Sequence, residues 1–452
     1  MELQTLNMTN LAKTVGKYVD IKPKRIRAEL KEYILPRLDF LGGIHRRTQR
    51  YFVIEEGYVE PEWKDMVSIH YINTSYQTQG RVMRVHVFRA KEMSEKSYAG
   101  CFTLRMINEV RLMLSFIYPN WSIVNCDNKR LNVMSYLKTV HVSGHEFAFY
   151  TYPLFVQDNI TVTCAQACLI SMSRYLHYKY DYNSIRLLEI NEAFHSEKTK
   201  LFPSPGLGPK QMLEILNSYN ISVGYMVYKE GCKFKEYMDY TLESGLPVII
   251  GVTLESEENK EVRHVIQVIG HVRDMKERTY VIYDDSGCYI RSQDGEGGFV
   301  TAVTWDELKK VIKERKSFII YPIHERVYIL YDSFQQILKN MVNEVAVYKE
   351  LWNQGICNFD SARILLADNR DVKKFLKKAV NGAELYLKDS GDEIEKLMER
   401  DMPHYLWYCE VPIEDAYLIF LADPTYSRVT TRNIFLNSFP IVTKEQLSLL
   451  SN

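Results

Sequence analysis

The chain has 452 residues, 46% apolar and 25% charged, a make-up that excludes a disordered, collagen-like or disulfide-scaffold protein and suggests several globular domains. Lysine plus arginine equals aspartate plus glutamate at 57 each, so the chain as a whole is no polyelectrolyte. The charge is uneven, however: residues 1–150 carry 22 basic and 15 acidic side chains.

The basic excess gathers in KPKRIR (22–27) and HRRTQR (45–50). No nucleic-acid motif accompanies it, so a solvated basic face is expected. Nucleic acid is a partner only this segment offers. Residues 21–40 read as helix, broken by Gly42 and Gly43. VSIHYINT (67–74) and RVMRVHVFRA (81–90) alternate and are β-branched, so strands are expected over 67–90. HEFAFYTYPLFV (145–156) is aromatic and strand-like. No apolar run approaches the roughly 18 residues of a membrane helix. MELQTLNMTN lacks a charged segment followed by an apolar core, so no secretory signal is expected. The eight cysteines are scattered without a CxxC pair and are read as reduced thiols of a cytoplasmic protein.

The tract 160–323 mixes helices at 164–177 and 209–218 with strands at 222–228, 246–253, 263–271, 279–284 and 317–322. Beyond Pro322, residues 332–351 place Phe334, Ile337, Leu338, Met341, Val342 and Val345 on one helical face. Residues 361–380 and 392–401 continue as helix, and HYLWYCEVP and AYLIFLADP return to strand. Three regions follow: a mixed α/β region 1–149 of unassigned role, an α+β region 150–323, and a helical-then-β region 324–452 that could pack with the first.

Chemistry concentrates in QDNITVTCAQACLISMSRYL, beginning at Gln157. Cys164 opens an amphipathic helix, with Thr163 as its N-cap. A thiol in the first turn meets unpaired N–H groups and the positive dipole end, both of which favour the nucleophilic thiolate. A thiolate nucleophile needs an imidazole and a group to orient it. His264 begins an alternating strand, and Asp284 ends the next one before a turn. A hairpin can set the two side by side. His271, at the far end of the same strand, is the alternative base, and Asp285 the alternative acid. Strand neighbours face opposite sides, so only one of the two aspartates is expected to face His264. Gln157, just upstream of the helix, can donate to an oxyanion. Cys168, one turn on, is expected in the core. Cys-x3-Cys has no matching His/Cys pair nearby, so neither a metal nor a cofactor is expected.

In this order the set resembles the papain fold, and more narrowly the double-glycine peptidases that process bacteriocin leaders. Those pair a glutamine upstream of D-C-G-x-A-C-L-x-M with later G-x-P-V-I, H-x-V-V-V-x-G and D-P-x-x-G elements. Here stand Gln157, CAQACLISM (164–172), GLPVII (245–250), HVIQVIG (264–270) and DDSG (284–287), with GLGPKQMLEIL (206–216) between. Thr163, Ala165 and Asp285 replace the family's aspartate, glycine and proline. The gap from Gln157 to Cys164 is one position longer than usual. The resemblance implies a helix packed on an antiparallel sheet, flanked by the two mixed regions. It also implies a cysteine peptidase that cleaves a peptide bond in a protein or peptide substrate, with no membrane partner. A non-catalytic peptide-binding module, or an acyl-transfer or deamidation enzyme using the same groups, is the alternative.

Overall fold

Among the described residues, runs rich in β-branched and aromatic residues build three antiparallel sheets in a computed structural model of the chain, several strands being buried on both faces, and one helix is buried between two of the sheets. The structure describes residues 7–19, 23–30, 50–69, 82–107, 109–117, 131–142, 144–157, 163–193, 206–255, 261–272, 278–285, 300–344, 346–354, 362–382, 399, 401–413, 416–425, 434–436 and 442–443. The chain falls into two compact units, one of Met1–Cys232 with Pro247–Tyr321 and the other of Lys233–Leu246 with Pro322–Asn452.

The first unit opens with helices α1 (Met8–Val19) and α2 (Pro23–Glu29). Strand β1 (Tyr51–Tyr58) and helix α3 (Pro61–Ile69) follow. The expected strand at 67–74 is corrected over 67–69, which close α3, and the remainder lies outside the described residues. Strands β2 (Val82–Phe88), β3 (Tyr98–Ile107), β4 (Glu109–Ile117), β5 (Leu131–Val133), β6 (Tyr136–Val142) and β7 (His145–Phe155) come next. They build a six-stranded sheet in the order β1-β2-β3-β4-β7-β6, leaving out β5. Its core is aromatic: Tyr98 stacks on Phe147 at 4.9 Å and meets Phe88 edge-on at 5.2 Å. The boundary read at residue 149/150 falls inside β7.

Helix α4 (Cys164–Tyr180) is followed by α5 (Leu187–Ala193), α6 (Pro209–Ser218) and β8 (Val223–Val227). Then come, after a helix of the second unit, β9 (Val248–Glu255), β10 (Glu261–Val272), β11 (Thr279–Tyr283) and β12 (Val300–Thr304). A short helix (Trp305–Val311) and β13 (Phe318–Pro322) complete this stretch. The second sheet runs β12-β11-β10-β9-β13-β8. β5 pairs with β10 through Gly270↔Val133 and Val272↔Leu131, so a strand from the N-terminal region enters this sheet too.

α4 packs against β7 of one sheet and β10 of the other. Every residue from Ala165 to Leu176 is buried. This corrects the amphipathic reading, since a helix enclosed all round has no solvent face to keep polar. Its buried polar side chains therefore carry the tertiary ties. Ser171 Oγ accepts the Phe155 N–H at 3.0 Å, and Ser173 Oγ accepts the Ile185 N–H at 3.3 Å. Arg174 Nη2 reaches Glu60 Oε1 at 3.2 Å and contacts Glu62 as well. Arg186, just before α5, pairs with Asp65 of α3 at 2.6 Å.

The second unit holds α7 (Phe234–Glu243) and the helices Tyr331–Glu344, Ala346–Asn353 and Asn369–Gly382. Its antiparallel sheet is built on β14 (Arg363–Asp368), β15 (Tyr405–Ile413), β16 (Ala416–Ala422) and β17 (Ile434–Leu436), with β18 (Val442–Thr443) on β16. The expected helix over 361–380 is corrected: RILLAD is a strand, and helix begins only at Asn369. Arg363 ties α7 to the sheet through Glu243 and Glu410, and Ser244 Oγ accepts the Leu366 N–H at 2.8 Å. Trp407, stacked on Phe334, donates its indole N–H to Ile329 O at 2.8 Å. No helix among the described residues is long and apolar enough to cross a membrane. HRRTQR lies outside the described residues apart from Arg50.

Candidate active site

Cys164 is the first residue of α4 and is half-buried. Thr163 ahead of it is extended, at φ −105° and ψ 174°, which marks it as the N-cap. The Thr163 N–H and hydroxyl both donate to Gln166 Oε1, each at 2.6 Å. Gln166 Nε2 in turn donates to Asn191 Oδ1 at 2.9 Å. This chain of bonds fixes the backbone from which the thiol projects. The first intrahelical bond here is Ala167 N–H to Thr163 O, so the Cys164 and Ala165 amides precede it at the open helix start.

The opposite wall is β10. His264 pairs with Val252 across β9 and is buried, with its ring beside the helix start. His264 Nε2 donates to Asp284 Oδ1 at 2.9 Å, and the Cys164 thiol hydrogen-bonds the same ring. With Nε2 given to the carboxylate, Nδ1 is the nitrogen left for sulfur. Register explains the Asp284 contact. β11 pairs Tyr283 with Gln267, so one step further lies Asp284 opposite Ile266, two positions from His264 and on its face.

Asp285 departs from the expectation that only one aspartate reaches the imidazole. Its Oδ1 lies 3.8 Å from His264 Nε2, because β11 ends at Tyr283 and the chain turns instead of alternating onward. Asp285 is wholly buried. The backbone N–H groups of Gln157 and of Asp285 itself favour its charged form, yet neither oxygen completes a hydrogen bond among the described residues. Burial, aided by the Asp284 charge, pushes its carboxyl up to about 8. Burial alone would lower His264. The Asp284 and Cys164 hydrogen bonds and charges outweigh it and push the imidazole up to about 10.

The structure thus brings Cys164, His264 and Asp284 together. Gln157 is half-buried beside Asp285, which its backbone amide faces, and is not part of the cleft wall at Cys164. His271 lies past a bulge between Val268 and Gly270, paired with Tyr280 and Asn132. Cys168 is fully buried, its Sγ 3.6 Å from Val265 O, and burial holds its thiol well above the ordinary range. The ligand-type atoms of His264, Asp284 and Asp285 lie within 4.8 Å of one another. The hydrogen bond joining His264 to Asp284 accounts for the closeness of that pair, and the end of β11 at Tyr283 for the approach of Asp285.

A cleft of about 550 Å³ opens beside Cys164 and His264, walled by α4, the 206–209 turn, β8, β9, β10 and β13. Gly251 forms its floor. A Cβ there would come within 2.1 Å of the Phe318 ring, which lies across it. This requirement for glycine was not read from the sequence, where Gly251 sits in an ordinary apolar strand. Arg174, with Glu60 and Glu62, was likewise missed, although an arginine inside an apolar helix signals a buried ion cluster. No protein-family model matches the chain, and no curated protein matches it.

Proposed function

We propose that the chain is a cysteine-dependent hydrolase with a papain-like catalytic centre, acting in the cytoplasm on a peptide bond of a protein or peptide substrate. The single observation that carries the reading is one imidazole hydrogen-bonded to a half-buried thiol at a helix start and to a buried carboxylate. In this reading His264 already holds the proton as imidazolium, and Cys164 attacks the carbonyl carbon as the thiolate. The oxyanion forms beside the Cys164 and Ala165 amides at the open helix start. Collapse transfers the His264 proton to the leaving amine and leaves an acyl-thioester on Cys164. Water, deprotonated by His264, then releases the acid and restores the thiol. Asp284 holds the ring and favours the imidazolium.

The test compares protein N-termini in cells expressing the wild type and Cys164→Ala. New termini that depend on Cys164 support hydrolysis. Identical sets, with no labelling of Cys164 by a peptidyl electrophile, would leave a peptide-binding module instead.

A further inference from the structure

The cleft at Cys164 has a one-sided charge. Its wall includes Arg263, Arg315 and Lys316, and no aspartate or glutamate among the described residues that line it. Lys316 is committed to Glu261, at 2.5 Å. Arg315 is held less firmly: its Nε lies 3.7 Å from Glu314 Oε1 and its side chain is 80% exposed, a weak pairing. Arg263 is exposed, directly precedes His264 in β10, and lies near Glu261, whose charged form it favours from two positions along the strand.

The Arg315 backbone adds an independent observation. It adopts φ +58°, the left-handed region, where a glycine would sit without strain. The loop is nonetheless well fastened. Arg315 N–H donates to Tyr228 O at 2.9 Å, Ser317 N–H to Lys313 O at 2.9 Å, and Lys313 N–H to Ser317 Oγ at 2.9 Å. A left-handed arginine on a well-fastened loop in the wall of the cleft that holds Cys164 points to a use for its side chain. The floor below is apolar, with the Tyr225 and Phe318 rings 5.9 Å apart.

We infer that this cleft selects acidic peptides, with Arg315 and Arg263 binding a substrate carboxylate close to the acyl group that Cys164 attacks. The inference rests on the hydrolase reading above and deepens it by naming the substrate class. Guanidinium groups suit the task because they present a planar fork to a carboxylate.

The experiment separates the two ideas. Alkylation of Cys164 by iodoacetate and by iodoacetamide is timed by mass spectrometry in the full-length protein, with N-acetylcysteine amide as the reference thiol. The two reagents differ chiefly in charge, and neither requires turnover. The iodoacetate-to-iodoacetamide ratio should exceed the reference, and should fall about threefold or more in Arg315→Gly and in Arg263→Gln. Arg315→Gly should melt no lower than wild type, because glycine relieves the strained turn. In parallel, matched peptides differing only in Glu or Gln are offered to the wild type, and the Glu member should be cleaved faster. A ratio equal to the reference, or one unchanged in both variants, overturns the inference, as does cleavage indifferent to Glu or Gln. Failure to cleave any peptide, with the alkylation preference intact and arginine-dependent, overturns the hydrolase reading and upholds the anion-selective cleft.

Discussion

Cys164 and Cys168 stand one helical turn apart in very different surroundings. Cys164 faces a cleft and an imidazole, whereas Cys168 is fully buried against β10. Cys164→Ala should abolish turnover and leave the melting temperature unchanged. Cys168→Ala should leave the chemistry in place and lower stability by about 1 kcal/mol in a denaturant titration, the effect of trimming a small buried group. The reverse pattern would mean that the nucleophile is misassigned. The imidazole sets the pH range. His264 is raised to about 10, so its contribution to stability is fully present below about 6.5 and is lost as pH rises through about 10. Asp285, raised to about 8, acts with the same sign: it favours the folded state below about 4 and ceases to as pH rises through about 8. The denaturation midpoint should therefore fall from pH 6 to pH 10, and Asp285→Asn should flatten the portion below pH 8. In Asp284→Asn the imidazole loses its hydrogen bond to a charged partner. The alkaline limb of the rate profile should then move toward neutrality and the maximum rate should drop. A limb that stays in place would show that Asp284 does not control the ring.

At the scale of elements, α4 is the piece on which the site depends, and the N-terminal region holds it. Arg174 joins the helix to Glu60 and Glu62 in a setting closed to water. Arg174→Met should cost roughly 3–5 kcal/mol, because the Glu62 charge is left buried without its cation, beside a Glu60 that burial has pushed up to about 8. Urea unfolding followed by circular dichroism measures it, and a loss below about 1 kcal/mol would show that the cluster rehydrates. The helix boundaries were legible because local signals set them: Cys164–Tyr180 follows a capping threonine, and Pro209–Ser218 follows Gly208 with proline at its first position. The strand carrying His264 was legible from its alternation, and the one preceding Asp284 from its β-branched and aromatic run ahead of a turn. RILLAD was misread because a short apolar run has no period that separates strand from buried helix. α7 was missed for a related reason, since its packing partner, β14, lies more than a hundred positions away in sequence. The approach of Asp285 to His264 was also out of reach, because it depends on where β11 stops, which pairing with β10 and β12 decides.

For the molecule as a whole, acid should act first on the second unit. His324 is buried there and stacked on Tyr405 at 3.7 Å, with His404 on Tyr405 at 4.4 Å. Burial, reinforced by the His404 charge, drives His324 down to about 3. A depressed histidine stabilises above its unfolded value near 6.5, and that contribution is lost as pH falls toward about 3. Between pH 7 and pH 4 protease cuts should appear within 322–452 before they appear around α4, and His324→Phe should suppress them. The pairing of β5 with β10 has a consequence for the order in which the protein is made. Translation delivers Leu131–Val133 long before Glu261–Val272 exists, so a growing chain carries an unfilled strand position that only later sequence can occupy. Cys164 leaves the ribosome early, its base later, and Asp284 later still. A nascent chain that ends before Asp284 has emerged holds Cys164 beside an imidazole that has no carboxylate to orient it.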